Sequence, residues 1–315
     1  MKFLCRAQKP QVVALIVVLV SFVVACDQSP PPSEVEAQSA GPVRWWQVKM
    51  SRPMADVKAE AKAMALRRPQ LLLADKDPSV RPQYAEALQL VAADLYEEGL
   101  PKLTALAEKG FADAQYELGM LYSISNAGPE ALEDDSIGFN WLRRSAEQGF
   151  SSAQFVLGIK YFYGNEHIER NWGKCAEWLL IAAEQGDAIA QNALNLTYAR
   201  GEGVEQDPIE AYKWQLLAVT RAENSTSIGP KMAQMEGSLG SLIDRFQMTE
   251  AQIREAEQRA EKWEASHPWA YQSYDDVFLV RTAFDDYPPE PRVQALLDAK
   301  AKAYQEEIDA ILSEK

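Results

Sequence analysis

The sequence predicts an all-α solenoid of helix-turn-helix repeats, and three observations point to it. Ala-Glu-Gln-Gly ends at Gly149 and again at Gly186, 37 residues on, and Ala-Gln begins four residues after each glycine. Counted from Gly110, Gly149 and Gly186, the chain places Ala114, Ala153 and Ala190, then Leu118, Leu157 and Leu194, then Tyr122, Tyr161 and Tyr198 in one register. No run of alternating β-branched residues long enough for a strand occurs before the C-terminal third.

Each unit of the repeat reads as two helices. The alanine, leucine and tyrosine positions lie on one helical face and form the first. Trp141, Trp178 and Trp214 mark the second, and seven residues before each stand Asp134, Asn171 and Asp207, residue types whose side chains satisfy the free amides of a helix start. Pro208 follows Asp207 at the first helical position, where a proline loses no hydrogen bond. Gly149 and Gly186 close the second helix by entering the left-handed region, so the repeated tetrapeptide is a helix ending and a turn. Small residues recur where the helices must approach, Gly119 and Gly158 on the first and Ala146 and Ala183 on the second, with Asn195 breaking the series. Neither helix could bury its apolar stripe alone, so stacked units share a core.

The spacing LGxxY, GxGVxxD, AxxW, AAxxG resembles the Sel-one-like repeat, a relative of the tetratricopeptide repeat. Tyr198 to Trp214, YARGEGVEQDPIEAYKW, carries it best, while SISNAGPEALEDD and YGNEHIERNWGKCAEW depart from it in the first two inter-helix turns. The match covers Ala112 to about Ala222, and Leu103 to Gly110 resembles the second helix of a decayed preceding repeat.

Around the repeats the organisation is simpler. Residues 1–25 read as an export signal: Lys2, Arg6 and Lys9 precede an apolar run from Val12 to Ala25, too short to span about 30 Å of hydrocarbon. The run ends Val23-Val24-Ala25-Cys26, which resembles the lipobox of bacterial lipoproteins and implies a lipidated, palmitate-bearing Cys26 in the cell envelope, facing the periplasm. Asp27 leaves the choice of inner or outer membrane open. Residues 26–42 form a tether of roughly 20 Å as a flexible coil. Residues 43–110 are helical, with patterns at Met54 to Leu66, Gln83 to Tyr96 and Lys102 to Lys109; residues 111–222 hold three repeats, and residues 223–315 form a C-terminal helical cap. Within that cap a helix is expected from Met232 to Phe246. Thr249 and Gln252 spell a capping box, Trp269 to Pro291 is rich in aromatics and prolines, and Val293, Leu297, Ala301, Tyr304, Ile308 and Ile311 lie along a last amphipathic helix.

Charge and chemistry narrow the function. The net charge is −14 and becomes −17, from 29 basic and 46 acidic residues, once residues 1–25 are removed. Such a surface repels phosphate backbones, so nucleic acid is excluded as a partner. With Cys26 lipidated, Cys175 has no disulfide partner and reads as a buried structural thiol. His167 and His267 are a hundred residues apart and read as surface residues without partners. Asp134-Asp135, Asp275-Asp276 and Asp285-Asp286 have no calcium-loop spacing, and Gly201-Glu202-Gly203 belongs to a repeat turn rather than a phosphate loop. Some cysteine-rich members of the family are named as β-lactamases, but this chain lacks their paired cysteines. The reading is therefore no catalytic residues, no cofactor and no metal.

The resemblance to tetratricopeptide-like arrays implies a concave face lined by the first helices. It places Tyr116, Met120 and Ser123, Phe155, Ile159 and Phe162, and Asn192, Leu196 and Ala199 there. Tyr116, Met120, Phe155, Ile159, Phe162, Asn192 and Leu196 are the candidate partner-binding residues. Either a protein partner or the chain's own N-terminal helices and aromatic segment fill that face; both stay open. Negative residues near it favour a basic partner. The function expected is a non-catalytic, lipid-anchored binder. It would serve as an immunity protein that inhibits a secreted toxin or effector, or else as an adaptor in envelope assembly or secretion. The alternative of another class is a hydrolase acting on peptidoglycan or lipid.

Overall fold

A computed structural model describes residues 50, 52–67, 79–123, 134–223, 239–267 and 288–313, and every regular element among them is an α-helix. The export signal, Cys26, the tether, the start of the helix expected at Met232 and the segment 269–287 lie outside the described residues. The helices are α1 (Met54–Arg67), α2 (Val80–Ala92), α3 (Tyr96–Glu108), α4 (Ala112–Ser123), α5 (Asp135–Glu147), α6 (Ser151–Tyr163), α7 (Trp172–Glu184), α8 (Ala188–Arg200), α9 (Pro208–Glu223), α10 (Glu250–Ser266) and α11 (Pro291–Ser313). A further helical stretch covers 239–246. The elements fall into two compact units: one contains α2 to α4, the start of α5 and α11, and the other contains α1, the end of α5 and α6 to α10.

Local chemistry sets the helix ends. Asp134, Asp187 and Asp207 each accept two backbone amides through one carboxylate oxygen, and Asn171 accepts that of Lys174 at 2.9 Å. Thr249 and Gln252 form the expected capping box at the start of α10. Gly110, Gly149 and Gly186 have φ of 94°, 98° and 91°. In each turn the glycine amide bonds back three residues and the next amide bonds back five, for example Asp187 to Ala182 O at 3.1 Å. That double closure satisfies the last carbonyls of the helix, and only glycine enters it without strain.

The glutamine that follows each repeated alanine has a specific job. Gln115, Gln154 and Gln191 are buried, and each Nε2 donates to the carbonyl eight residues back, Ala107 at 2.9 Å, Ala146 at 3.0 Å and Ala183 at 3.2 Å. The side chain thus ties a first helix to the end of the helix before it, across the turn. This bond explains why Ala-Gln recurs after Ala-Glu-Gln-Gly.

In the first unit Leu103, Leu118 and Leu121 lie in one core with Tyr84, Leu88 and Phe111. α2 ends at Ala92 and α3 starts at Tyr96, where the sequence suggests one helix running from Gln83 to Tyr96 and the next starting at Lys102. The chain breaks because Asp94 adopts φ of 61°, a region aspartate tolerates, and the Tyr96 hydroxyl donates to its carboxylate at 3.1 Å. The last helix, α11, packs on α2 through Val293 and Leu297. Lys300 reaches Asp94 at 2.7 Å, and Arg292 reaches Glu98 at the same distance.

In the second unit α6, α7, α8 and α9 pack in succession, with α10 on α9 and α1 on α7. Leu157, Leu179, Leu180, Leu194, Trp214 and Leu217 are fully buried. At Gly158 an added Cβ would lie 3.2 Å from Leu179 Cγ and 3.3 Å from the Cys175 carbonyl, so a larger residue would have to push α6 and α7 apart by a few tenths of an ångström. Cys175 is buried at this crossing. The third repeat has Asn195 where glycine stood. At that crossing Asn195 Nδ2 donates to Gln215 Oε1 at 2.7 Å, with both side chains buried.

Candidate functional site

The first helices carry the candidate partner-binding residues, and the two units present them differently. On α4, in the first unit, Tyr116 and Met120 are half-buried. In the second unit Phe155 and Ile159 of α6 are 2% and 4% exposed. Their counterparts one repeat later, Asn192 and Leu196 of α8, are half-buried. Together with Ile189 and Arg200 these two make a stripe along one face of α8 that is not fully covered. Phe162 is half-buried at the end of α6, its ring stacked on Trp172 at 6.1 Å and set edge-on to Tyr163 at 5.1 Å. Tyr163 is 39% exposed, among the largest exposed apolar side chains described.

Two helices outside the repeats in the second unit pack mainly on second helices, and Met64 of α1 also meets Gln154 of α6 at 3.3 Å. α1 packs on α7 and α10 packs on α9, and both α7 and α9 are second helices of their repeats. Of α10, Ala256, Ala260 and Trp263 are buried, with the Trp263 ring edge-on to Trp214 at 5.9 Å, and polar groups complete its docking.

Those polar groups converge on Glu184, the glutamate of the second Ala-Glu-Gln-Gly. Its Oε2 accepts the Trp263 indole N–H at 2.9 Å and lies 2.9 Å from His267 Nε2, while Lys58 Nζ stands 3.5 Å from Oε1. The imidazole stacks on the Trp263 ring at 4.3 Å, and Nδ1 lies 2.7 Å from the Trp263 carbonyl. Beside this cluster Glu210 accepts from Lys213 at 2.8 Å and from Arg259 of α10 at 2.8 Å. Burial raises the pKa of both carboxyls. For Glu184 the bond from His267 and the charge of Lys58 outweigh it, and for Glu210 Lys213 and Arg259 do, so both carboxyls sit below their ordinary range. Burial lowers the Lys213 ammonium despite Glu210, and that ammonium lies 3.9 Å over the Trp214 ring.

This cluster corrects the sequence reading of His267, which is not a partnerless surface residue. The sequence offered one hint, a glutamate directly after the apolar run Trp178 to Ala183; its partners lie 79 or more residues away and no spacing rule links them. His167 is exposed, with Nε2 3.3 Å from Glu166. Among the described residues no group of three His, Cys, Asp or Glu side chains could hold a metal ion, and no helix is long and apolar enough to cross a membrane.

Fold and turns together define a helical-repeat protein. Residues 112–150, 151–187 and 188–219 match the model of the Sel1 repeat, a module that generally mediates protein–protein interaction. The search of curated proteins found no significant match. Among solved structures, similar chains include c5321, a protective antigen of uropathogenic Escherichia coli strains displaying an SLR fold, with 24% identity and a TM-score of 0.47 over 68% of this chain and 47% of that one. The chain thus spans about half the length of that relative. A Sel1 repeat protein from Oxalobacter formigenes is 29% identical with a TM-score of 0.36, over 43% of this chain and 97% of that one.

Proposed function

We propose that this protein is a non-catalytic envelope lipoprotein, anchored through Cys26 and facing the periplasm, that binds a protein partner along the first helices of its repeats. One observation supports the reading above the others. The chain's own accessory helices, α1 and α10, pack on second helices, while Asn192 and Leu196 on a first helix stay partly exposed. An incompletely covered stripe mixing amide, aliphatic and guanidinium groups suits a helix or loop from another protein. Phe162 with Tyr163 in the same unit supplies further contacts of the same character. Phe155 and Ile159 are core residues in this reading and support the face from beneath.

The sharper form of the proposal is an immunity protein that inhibits one secreted toxin or effector. With 29 basic and 46 acidic residues after residue 25, the chain would draw in a basic partner. The test is affinity capture from envelope extracts and secreted proteins, using residues 27–315 beside the variant Phe162→Ala, Asn192→Asp, Leu196→Asp. One dominant secreted protein is expected with the unaltered bait and is lost with the variant, whose melting temperature stays within a few degrees. Several envelope proteins captured together would replace the inhibitor with an adaptor. Equal capture by both baits would remove the first-helix face. Separately, Cys26→Ser should move the full-length protein from the membrane to the soluble fraction.

A further inference from the structure

Both accessory helices of the second unit reach Glu184, and α10 reaches Glu210 as well. α1 brings Lys58 to Glu184 and into the field of Glu210; α10 brings Trp263 and the adjoining His267 to Glu184, and Arg259 to Glu210. Lys213 of α9 completes the cluster, and the Tyr198 hydroxyl feels Glu210, Glu184 and Asp207 from α8. Glu184 itself is 3% exposed. A carboxylate so enclosed is stabilised only while its donors stay in place.

We infer that Glu184 and Glu210 form a two-sided latch through which α1 and α10 dock on the repeats cooperatively, so that release of either helix loosens the other. The coupling follows from shared burial. While α1 covers α7, the Glu184 carboxylate is shielded from water, and its bonds to Trp263 and His267 act in a low-dielectric setting where they are strong. If α1 leaves, water reaches Glu184 and competes for those bonds, so α10 is held less tightly. The coupling acts equally in reverse, as linkage requires. α10 is the natural moving part because it buries only two alanines and one tryptophan. A protein that drew α1 away would uncover two second-helix surfaces in one event.

Hydrogen exchange read by mass spectrometry on the full chain tests the latch, with each variant scored on the helix it does not touch. His267→Ala should speed exchange across 54–67, and Lys58→Met should speed it across 250–266. The expected rise is roughly five- to a hundredfold, the span of ordinary coupling between sites. Peptides from α6 and α8 report on the repeats and should hold their protection. Glu147→Gln, the same repeat position one unit earlier, serves as the control and should leave both accessory helices unchanged. Variants that loosen only their own helix would overturn the latch. A uniform rise that includes α6 and α8 would also overturn it, since the cluster would then be an undivided part of the core.

Discussion

Glu184 accepts the indole N–H of Trp263 at 2.9 Å across 79 residues of sequence. Its repeat counterpart Glu147 lies exposed, 3.8 Å from Arg143 on its own helix. Removing each carboxylate should therefore have unequal effects. Glu184→Ala leaves Lys58, His267 and the Trp263 N–H without their acceptor and should destabilise by about 3–5 kcal/mol. Glu147→Ala should fall within about 0.5 kcal/mol of the parent. Urea unfolding of the two variants checks the difference, and equal losses would contradict it.

The same cluster sets a limit on acid stability. Glu184 and Glu210 are held below the ordinary carboxylate range, so their contribution is present above that range and is lost as pH falls through their lower folded values. Unfolding free energy should drop on acidification below about pH 4. In the double variant Glu184→Gln, Glu210→Gln that drop should be smaller, though the stability at neutral pH is lower from the start.

Glu117 should behave in the opposite sense. Burial, and then the charge of Asp113 one turn away on α4, push its carboxyl up to about 7. Its folded form is favoured while protonated, so its contribution is complete below the ordinary carboxylate pKa and is lost as pH rises towards 7. A carbon-detected NMR titration should place the Glu117 midpoint near 7, and Glu117→Gln should flatten the stability profile between pH 5 and 7. A midpoint near 4 would show the site to be wetter than its packing indicates.

The turn glycines offer a clean backbone test. Gly110 has φ of 94° and an added Cβ would meet nothing within 4 Å, so Gly110→Ala carries a conformational cost without a clash. That cost should be about 1–2 kcal/mol. Thermal unfolding should show a fall of several degrees, and an unchanged midpoint would mean that the turn relaxes.

Gln154 probes the tie between successive helices. Its amide donates to the Ala146 carbonyl and accepts from Gln185 at 2.5 Å, all buried. Gln154→Leu keeps the volume but removes one of the two donors to Ala146 O and one of the two acceptors of Gln185 Nε2, and should cost about 1 kcal/mol. Gln185→Leu alongside it removes the amide that lost its acceptor, so the double variant should lose less than the two single losses added. Strict additivity would show that the two amides do not act together.

What the sequence determined by itself is the part governed by near neighbours. Helix starts at Asp134, Asn171 and Asp207 and closures at Gly110, Gly149 and Gly186 depend on contacts within five residues, so spacing alone reveals them. The repeat register was legible for the same reason, because each unit writes that local pattern again. The tertiary structure decided the rest. Two identical tetrapeptides acquired different surroundings: Glu147 stays exposed, while Glu184 is closed in by α1 and α10, helices that lie 117 residues before and 66 after it. Phe155 and Asn192 hold equivalent repeat positions, yet one is core and the other is partly exposed. No periodicity encodes these differences, because the burial of a side chain depends on which distant helix packs over it, and that is settled only when the whole chain is folded.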